Sequence, residues 1–160
     1  MIGRIQRPVD FERVLARPTR ARSAHFALHH LSASPAPSAW VAAQLRTASA
    51  KLSTGESQPA HTLVEQVPLA TPQLPDGCWV GMVVPKRHAR RSVTRQLLKR
   101  QIRAAFADRP GMPPGLWVVR LRSPFDRQQF PSAASDALRH AARAELAQLL
   151  DRAMTSGVRA

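Results

Sequence analysis

Acidic residues are scarce in this chain of 160 residues: ten Asp and Glu stand against 24 Lys and Arg, a net charge of +14. From Gly77 to Ala107 there is no acidic residue at all. Cys78 is the only cysteine, which excludes a disulfide framework and a thiolate metal site. It opens an apolar run and is expected to pack as a small hydrophobe. No long hydrophobic segment exists; the strongest run, around Trp79–Val84, is far too short to span a bilayer. The stretch MIGRIQRPVDF at the start lacks the apolar region of a secretory signal, so a soluble cytoplasmic protein with no membrane partner is expected. There is no Gly-rich loop of the kind that cradles nucleotide phosphates. Nor do the few carboxylates fall in close pairs on one face, as two-metal or acid–base catalysis would need. His29 and His30 point to opposite sides of an extended segment, and His88 stands among cations.

What the chain has instead is Arg. Lys51, Lys86 and Lys99 are its only lysines, and all the other basic residues are Arg, whose planar fork matches phosphate bidentately. A GC-rich genome would account for much of the Arg-over-Lys choice, but not for the net charge. So large a surplus repels itself in the folded state, and a polyanionic partner would relieve it.

Periodicity outlines the fold. PVDFERVLA (8–16) reads as a short helix with Pro8 in its first turn and Phe11, Val14 and Leu15 on one side. HFALHHL (25–31) alternates as a strand does. From Ala33 to Pro75, 43 residues hold six of the fourteen prolines with much Ala and Ser. That segment is expected to be a partly disordered insertion, with a weak helix at 38–52. CWVGMVV (78–84) is a buried-strand pattern ended by Pro85. A helix is predicted over 92–107, with Ser92 as N-cap and the Pro110–Gly111 pair as its stop. LWVVRL (116–121) is another strand. After Pro131 and Ser132 comes a final helix carrying Leu138, Ala142, Leu146, Leu149 and Ala153 as its apolar stripe. The order α, β, insertion, β, α, β, α predicts a single domain of the α+β class, a small two-layer α/β sandwich with its core in about 5–32 and 76–152.

The central helix and its approach, Lys86 to Phe106, hold eight basic residues and no acidic one. One side of the helix is Thr94, Leu98, Ile102, Ala105 and Phe106, with Leu97 at the edge. On the other, Arg95, Lys99 and Arg103 form a row at i, i+4 and i+8, widened by Arg100. Like charges at this spacing destabilise a helix by about 0.2–0.5 kcal/mol per pair. Solvated charge faces usually mix signs, and this one does not. Lys86, Arg87, Arg90 and Arg91 crowd the link just before the helix. A membrane-binding helix would not have its apolar side wedged between two strands. The anion that fits is a nucleic-acid backbone.

VGMVVPKR followed by HARRSVTRQLLKRQIRAAF resembles the signature of the bacterial ribonuclease P protein subunit. DFERVL resembles that family's N-terminal helix, HFALHHL its next strand, and PGLWVVRLRSPFD the strand after the basic helix. The resemblance covers about two-thirds of the chain and skips 33–75. It implies a ribosomal protein S5 domain 2-like fold with a left-handed βαβ crossover, where sequence physics alone would favour the right hand. It implies an endoribonuclease holoenzyme (EC 3.1.26.5) in which a catalytic RNA, with Mg²⁺, removes the 5′ leader of precursor tRNA. The protein would bind that RNA and the leader, be monomeric apart from the RNA, and hold no catalytic side chain, metal or cofactor of its own. Carried over by position, Lys86, Arg87, Arg90, Arg91, Arg95, Gln96, Lys99, Arg100 and Arg103 would contact RNA. Phe11 and His29 would lie in the leader cleft. Gln96 stands where the family usually has Asn, Leu97 where it often has Arg, and Leu15 and His29 at positions often aromatic. Two other classes remain open from residues alone: a basic ribosomal or assembly protein, and a DNA-binding regulator, against which the strand LWVVRL argues.

Overall fold

A computed structural model describes residues 2–37, 43 and 75–156. The chain divides into two units, 1–35 with 74–160, and 36–73. The expected insertion at 33–75 and the helix expected at 38–52 fall almost wholly outside the described residues.

The larger unit is one mixed five-stranded sheet with three helices. In chain order the elements are β1 (Ile2–Arg4), α1 (Pro8–Leu15), β2 (Ala21–Arg22), β3 (Phe26–Leu31), β4 (Cys78–Val83), α2 (Ser92–Ala107), β5 (Gly115–Leu121) and α3 (Asp136–Ser156). The strand order is β1-β4-β5-β3-β2. β1 and β5 both run parallel to β4, while β3 pairs antiparallel with β5 and with β2. Helices and strands fall where periodicity places them, within a residue or two, except that α3 starts four residues after Ser132. The two edge strands are new. At three and two residues they are too short for any alternation to register.

β5 lies at the centre and is covered on both faces, which is why it reads as an unbroken apolar run. Trp117, Val119 and Leu121 face α2 and α3, meeting Leu98, Ile102 and Phe106 of the first and Leu138, Leu146 and Leu149 of the second. Leu116 and Val118 face the other way, into a smaller cluster with Val14 and Ile5 that Phe11 and Leu15 of α1 cover. Each such fully buried side chain contributes about 1.5–3 kcal/mol of transfer free energy. Gly115 begins β5 at φ +131, where a Cβ would stand 2.5 Å from the Leu31 carbonyl oxygen. Only glycine fits there.

The polar groups inside this unit are paired. Asp10 is 1% exposed and accepts from Arg13 at 3.0 Å. Glu145 of α3 receives the Ser23 hydroxyl at 2.5 Å, the His25 amide at 2.6 Å and the His25 ring at 2.7 Å, clasping the β2–β3 turn to the helix. Burial alone would raise the Glu145 carboxyl, but these hydrogen bonds outweigh it and hold it below the ordinary glutamate value. His30 stacks on Trp117 with centroids 4.0 Å apart. Its Nε2 donates to the Pro114 carbonyl at 3.2 Å and its Nδ1 accepts from Arg20 at 3.1 Å. Burial lowers the His30 pKa, the Pro114 carbonyl pulls it up, and the Arg20 charge pushes it further down. Cys78 packs at the core margin, where burial pushes its thiol up to about 11.

Candidate nucleic-acid interface

Every cation on α2 owes its position to the apolar side of the same helix. Leu97, Leu98, Ile102, Ala105 and Phe106 are buried, so the residues between them are turned away from the sheet. Gln96, Arg100 and Arg103 are exposed and Lys99 is half-buried. The predicted N-cap is displaced by one residue: Arg91 holds the extended cap conformation, with no side-chain cap bond, and Ser92 is the first helical residue. No acidic residue occupies the first turn to complement the helix dipole.

The link before α2 is an ordered turn. The amides of His88 and Ala89 both donate to the Pro85 carbonyl at 3.1 Å, and Ala89 is buried. Arg95 closes this turn from the helix. Its Nη1 donates to the carbonyls of Ala89 at 2.9 Å and Arg90 at 2.7 Å. The row Arg95–Lys99–Arg103 is therefore not uniform. Arg95 is half-buried and bent back on the turn, whereas Lys99, Arg100 and Arg103 bond to nothing among the described residues within hydrogen-bonding reach. Lys86, Arg87, Arg90 and Arg91 are exposed on the turn, with Arg87 donating to the ring of His88 at 3.2 Å.

Charge balance sharpens the contrast. The ion pairs found among the described residues join Asp10 to Arg13, Glu145 to His25, Asp151 to Arg109, Asp136 to Arg139, and Asp108 to Arg143. None involves α2 or the 86–91 turn. These five carboxylates are bound to partners elsewhere, and no cation of α2 is held in an ion pair among the described residues.

Two concave surfaces flank this face. A cleft of about 530 Å³ brings Gln96, Lys99, Arg100 and Arg103 together with Arg4 of β1. A second, of about 760 Å³, lies between the 86–91 turn and the segment joining β5 to α3, where Arg87, Arg90 and Arg91 face Arg127 and Phe130. Asp126 also lines it, with one carboxylate oxygen accepting the Gln128 amide at 2.9 Å. Sequence reasoning missed Arg4 and Arg127. Neither lies in a periodic segment long enough to assign a face, so no local signal marks them.

The two cleft residues named from resemblance are placed differently from one another. Phe11 is half-buried with its ring on β4: a Cβ at Gly81 would stand 2.5 Å from the Phe11 Cε1. The same ring lines a cleft of about 360 Å³ with Lys99 and Arg4. His29 lies on the α1 side of the sheet but is 8% exposed, and its Nδ1 donates to the Arg17 carbonyl at 3.0 Å. It is a bonded interior histidine, with little ring surface to offer a base. Among the described residues no three His, Cys, Asp or Glu side chains converge to hold a metal ion. None of the described helices is long and apolar enough to cross a membrane.

Comparison with known proteins adds identity to this geometry. A family profile described as Ribonuclease P matches residues 3–145. A protein of Burkholderia mallei named ribonuclease P protein component is 43% identical over 76 residues, 46% of this chain and 55% of the relative. Proteins of the same name from Paraburkholderia xenovorans and Ralstonia pickettii are each 41% identical, over 76 and 73 residues; these are 46% and 45% of this chain, and 54% and 51% of those relatives. The matched region thus spans about half the length of the curated relatives.

Proposed function

The chain belongs to the ribonuclease P protein family, and from that premise we propose that it is the protein subunit of ribonuclease P. It binds the catalytic RNA and the 5′ leader of precursor tRNA and assists endonucleolytic 5′ maturation of tRNA in the cytoplasm. The observation that carries this reading is the face formed by Lys99, Arg100 and Arg103 of α2 with the exposed cations of the 86–91 turn, none of them in an ion pair among the described residues. A face of this kind is completed by an external polyanion, and the bound counterions of that polyanion are released when it docks.

The protein supplies position and charge to the reaction, while bond cleavage belongs to the RNA and its Mg²⁺. Lys99, Arg100 and Arg103 neutralise phosphates that would otherwise repel one another where catalytic RNA and substrate meet. Gln96, exposed beside them, offers an amide to a phosphate or base edge. Arg95 keeps the 86–91 turn in register, so that Arg90 and Arg91 meet the same RNA surface as the helix. Phe11, seated on Gly81, gives the leader an apolar contact beside Lys99. With fewer unscreened phosphates, the complex requires less Mg²⁺ to assemble, and the protein needs no partner copy of itself.

The test is reconstitution. Purified protein is added to ribonuclease P RNA and precursor tRNA at a Mg²⁺ concentration too low for the RNA alone. A gain in correct 5′ cleavage is expected. Tight RNA binding with no gain in cleavage would replace this reading with that of a basic ribosomal or assembly protein.

A further inference from the structure

Arg4 is not part of the basic helix, yet it lines three adjoining clefts, of about 360, 530 and 870 Å³. Met82 lines all three as well, Lys99 the first two, and Arg103 the last two. Shared linings make these clefts one trough. Its floor is the α2-facing side of β4, Val80 and Met82. One wall is β1 and the residues after it, and the other is the exposed side of α2. It opens at one end beside Phe11 and runs away from it toward Gly111.

Charge in the trough comes from both walls. Arg4 is exposed on β1, and among the described residues no carboxylate lies within ion-pair distance of it. Lys99 and Arg103 face it from the helix, one turn apart, which is about 6 Å along the axis and comparable to a single nucleotide step. Asp76 is the one carboxylate among the described lining residues, and it sits at the far end, in the cleft of about 870 Å³. An apolar floor between two cationic walls suits a strand whose bases turn inward and whose phosphates meet both rims. A duplex presents a broad convex surface, which rides on the rims and leaves the floor empty.

We propose that the trough between β1 and α2 is a two-walled track for a single-stranded RNA segment, with Arg4 contacting phosphates from the side opposite Lys99 and Arg103. Phe11 stands at its mouth, and from there the track runs along the α2-facing side of β4, on the opposite face of the sheet from His29. It rests on the reading of this chain as an RNA-binding subunit, but its test does not use ribonuclease P RNA.

The probe is an unstructured, labelled 12-nucleotide RNA, compared with the same sequence as a duplex. Both are titrated with the full-length protein over a range of salt. Arg4→Ala is expected to weaken single-strand binding three- to tenfold and to reduce its salt slope by about 0.7, the value for one lost phosphate contact on a single strand. Duplex affinity should change less than twofold. Ala107→Trp places bulk at an exposed position shared by two of the clefts and removes no charge. It should lower single-strand affinity at least as much as Arg4→Ala does, while the melting temperature stays unchanged. Arg152→Ala, an exposed cation on α3 outside the trough, should leave both affinities unaltered. Equal losses for single strand and duplex in Arg4→Ala would reduce Arg4 to general electrostatics and overturn the track. So would unchanged single-strand binding in both trough variants. Stimulation of ribonuclease P RNA by the wild-type protein is read separately, so either result can fail without the other.

Discussion

Arg95 and its neighbours in the row should fail differently when truncated. Replacing Lys99 and Arg103 together by Ala removes one half-buried and one exposed cation, neither of which is bonded to any other described residue. The fold should be unaffected, and the RNA complex should lose two phosphate contacts. For a duplex-like surface that reduces the slope of log K against log salt by about 1.8. Between 50 and 200 mM salt, a slope change of that size corresponds to a roughly tenfold change in the salt-induced loss of affinity. Arg95→Ala instead removes two charge-assisted bonds, to the Ala89 and Arg90 carbonyls. Bonds to charged groups contribute about 1.5–3 kcal/mol when buried, and one of these is exposed, so a total near 2 kcal/mol is expected. In a protein of this size that lowers Tm by roughly 4–8 °C. RNA affinity should fall because the 86–91 turn loses its register, with a change in salt slope below one. Filter binding over a salt series, with thermal melts of the free proteins, reads both quantities. If Arg95→Ala melts like wild type and reduces the slope by a full contact, Arg95 belongs to the exposed row and the account of the turn is wrong.

Gly81→Ala should destabilise the protein by about 1–3 kcal/mol, because the new methyl overlaps the Phe11 ring on a sheet that cannot retreat. In Phe11→Leu the same change should cost much less, and equal costs by chemical denaturation in both backgrounds would refute the contact. The pH profile of stability should have two acid limbs. His30 has a folded pKa below its unfolded value of 6.5, so the unfolded chain takes up its proton first and stability falls as pH drops below about 6.5. Glu145 is likewise lowered from 4.5; its contribution is complete above that value and is lost as pH falls through the folded pKa. In Glu145→Gln the lower limb should flatten and the upper one remain, and a Tm–pH profile unchanged by the substitution would refute the clasp.

Much of this protein is legible without coordinates because its signals are local. The period of 3.6 over 92–107 places Leu98, Ile102 and Phe106 inside, and by the same count places Lys99 and Arg103 outside. The apolar run at 116–121 is continuous because β5 has helices over both faces. The absence of any acid between Gly77 and Ala107 excludes internal neutralisation along the helix whatever the fold. These conclusions depend on neighbours a few residues apart.

Other features depend on residues far apart in sequence, and only the tertiary structure decides them. β1 and β2 exist because β4 and β3 offer edges to pair with, not because three or two residues carry a pattern. His29 looks as available as Phe11 in the sequence, but α1 and the Arg17 carbonyl enclose it while Phe11 keeps an open side. Arg95 matches Lys99 in spacing, but the 86–91 turn comes back within reach of its guanidinium and binds it. Arg4 lies 95 residues before Lys99 and carries no motif; pairing of β1 with β4 brings the two to opposite walls of one trough. Sequence alone sets which residues leave the core. Which of them meet one another is set by how the sheet brings its edges and helices together.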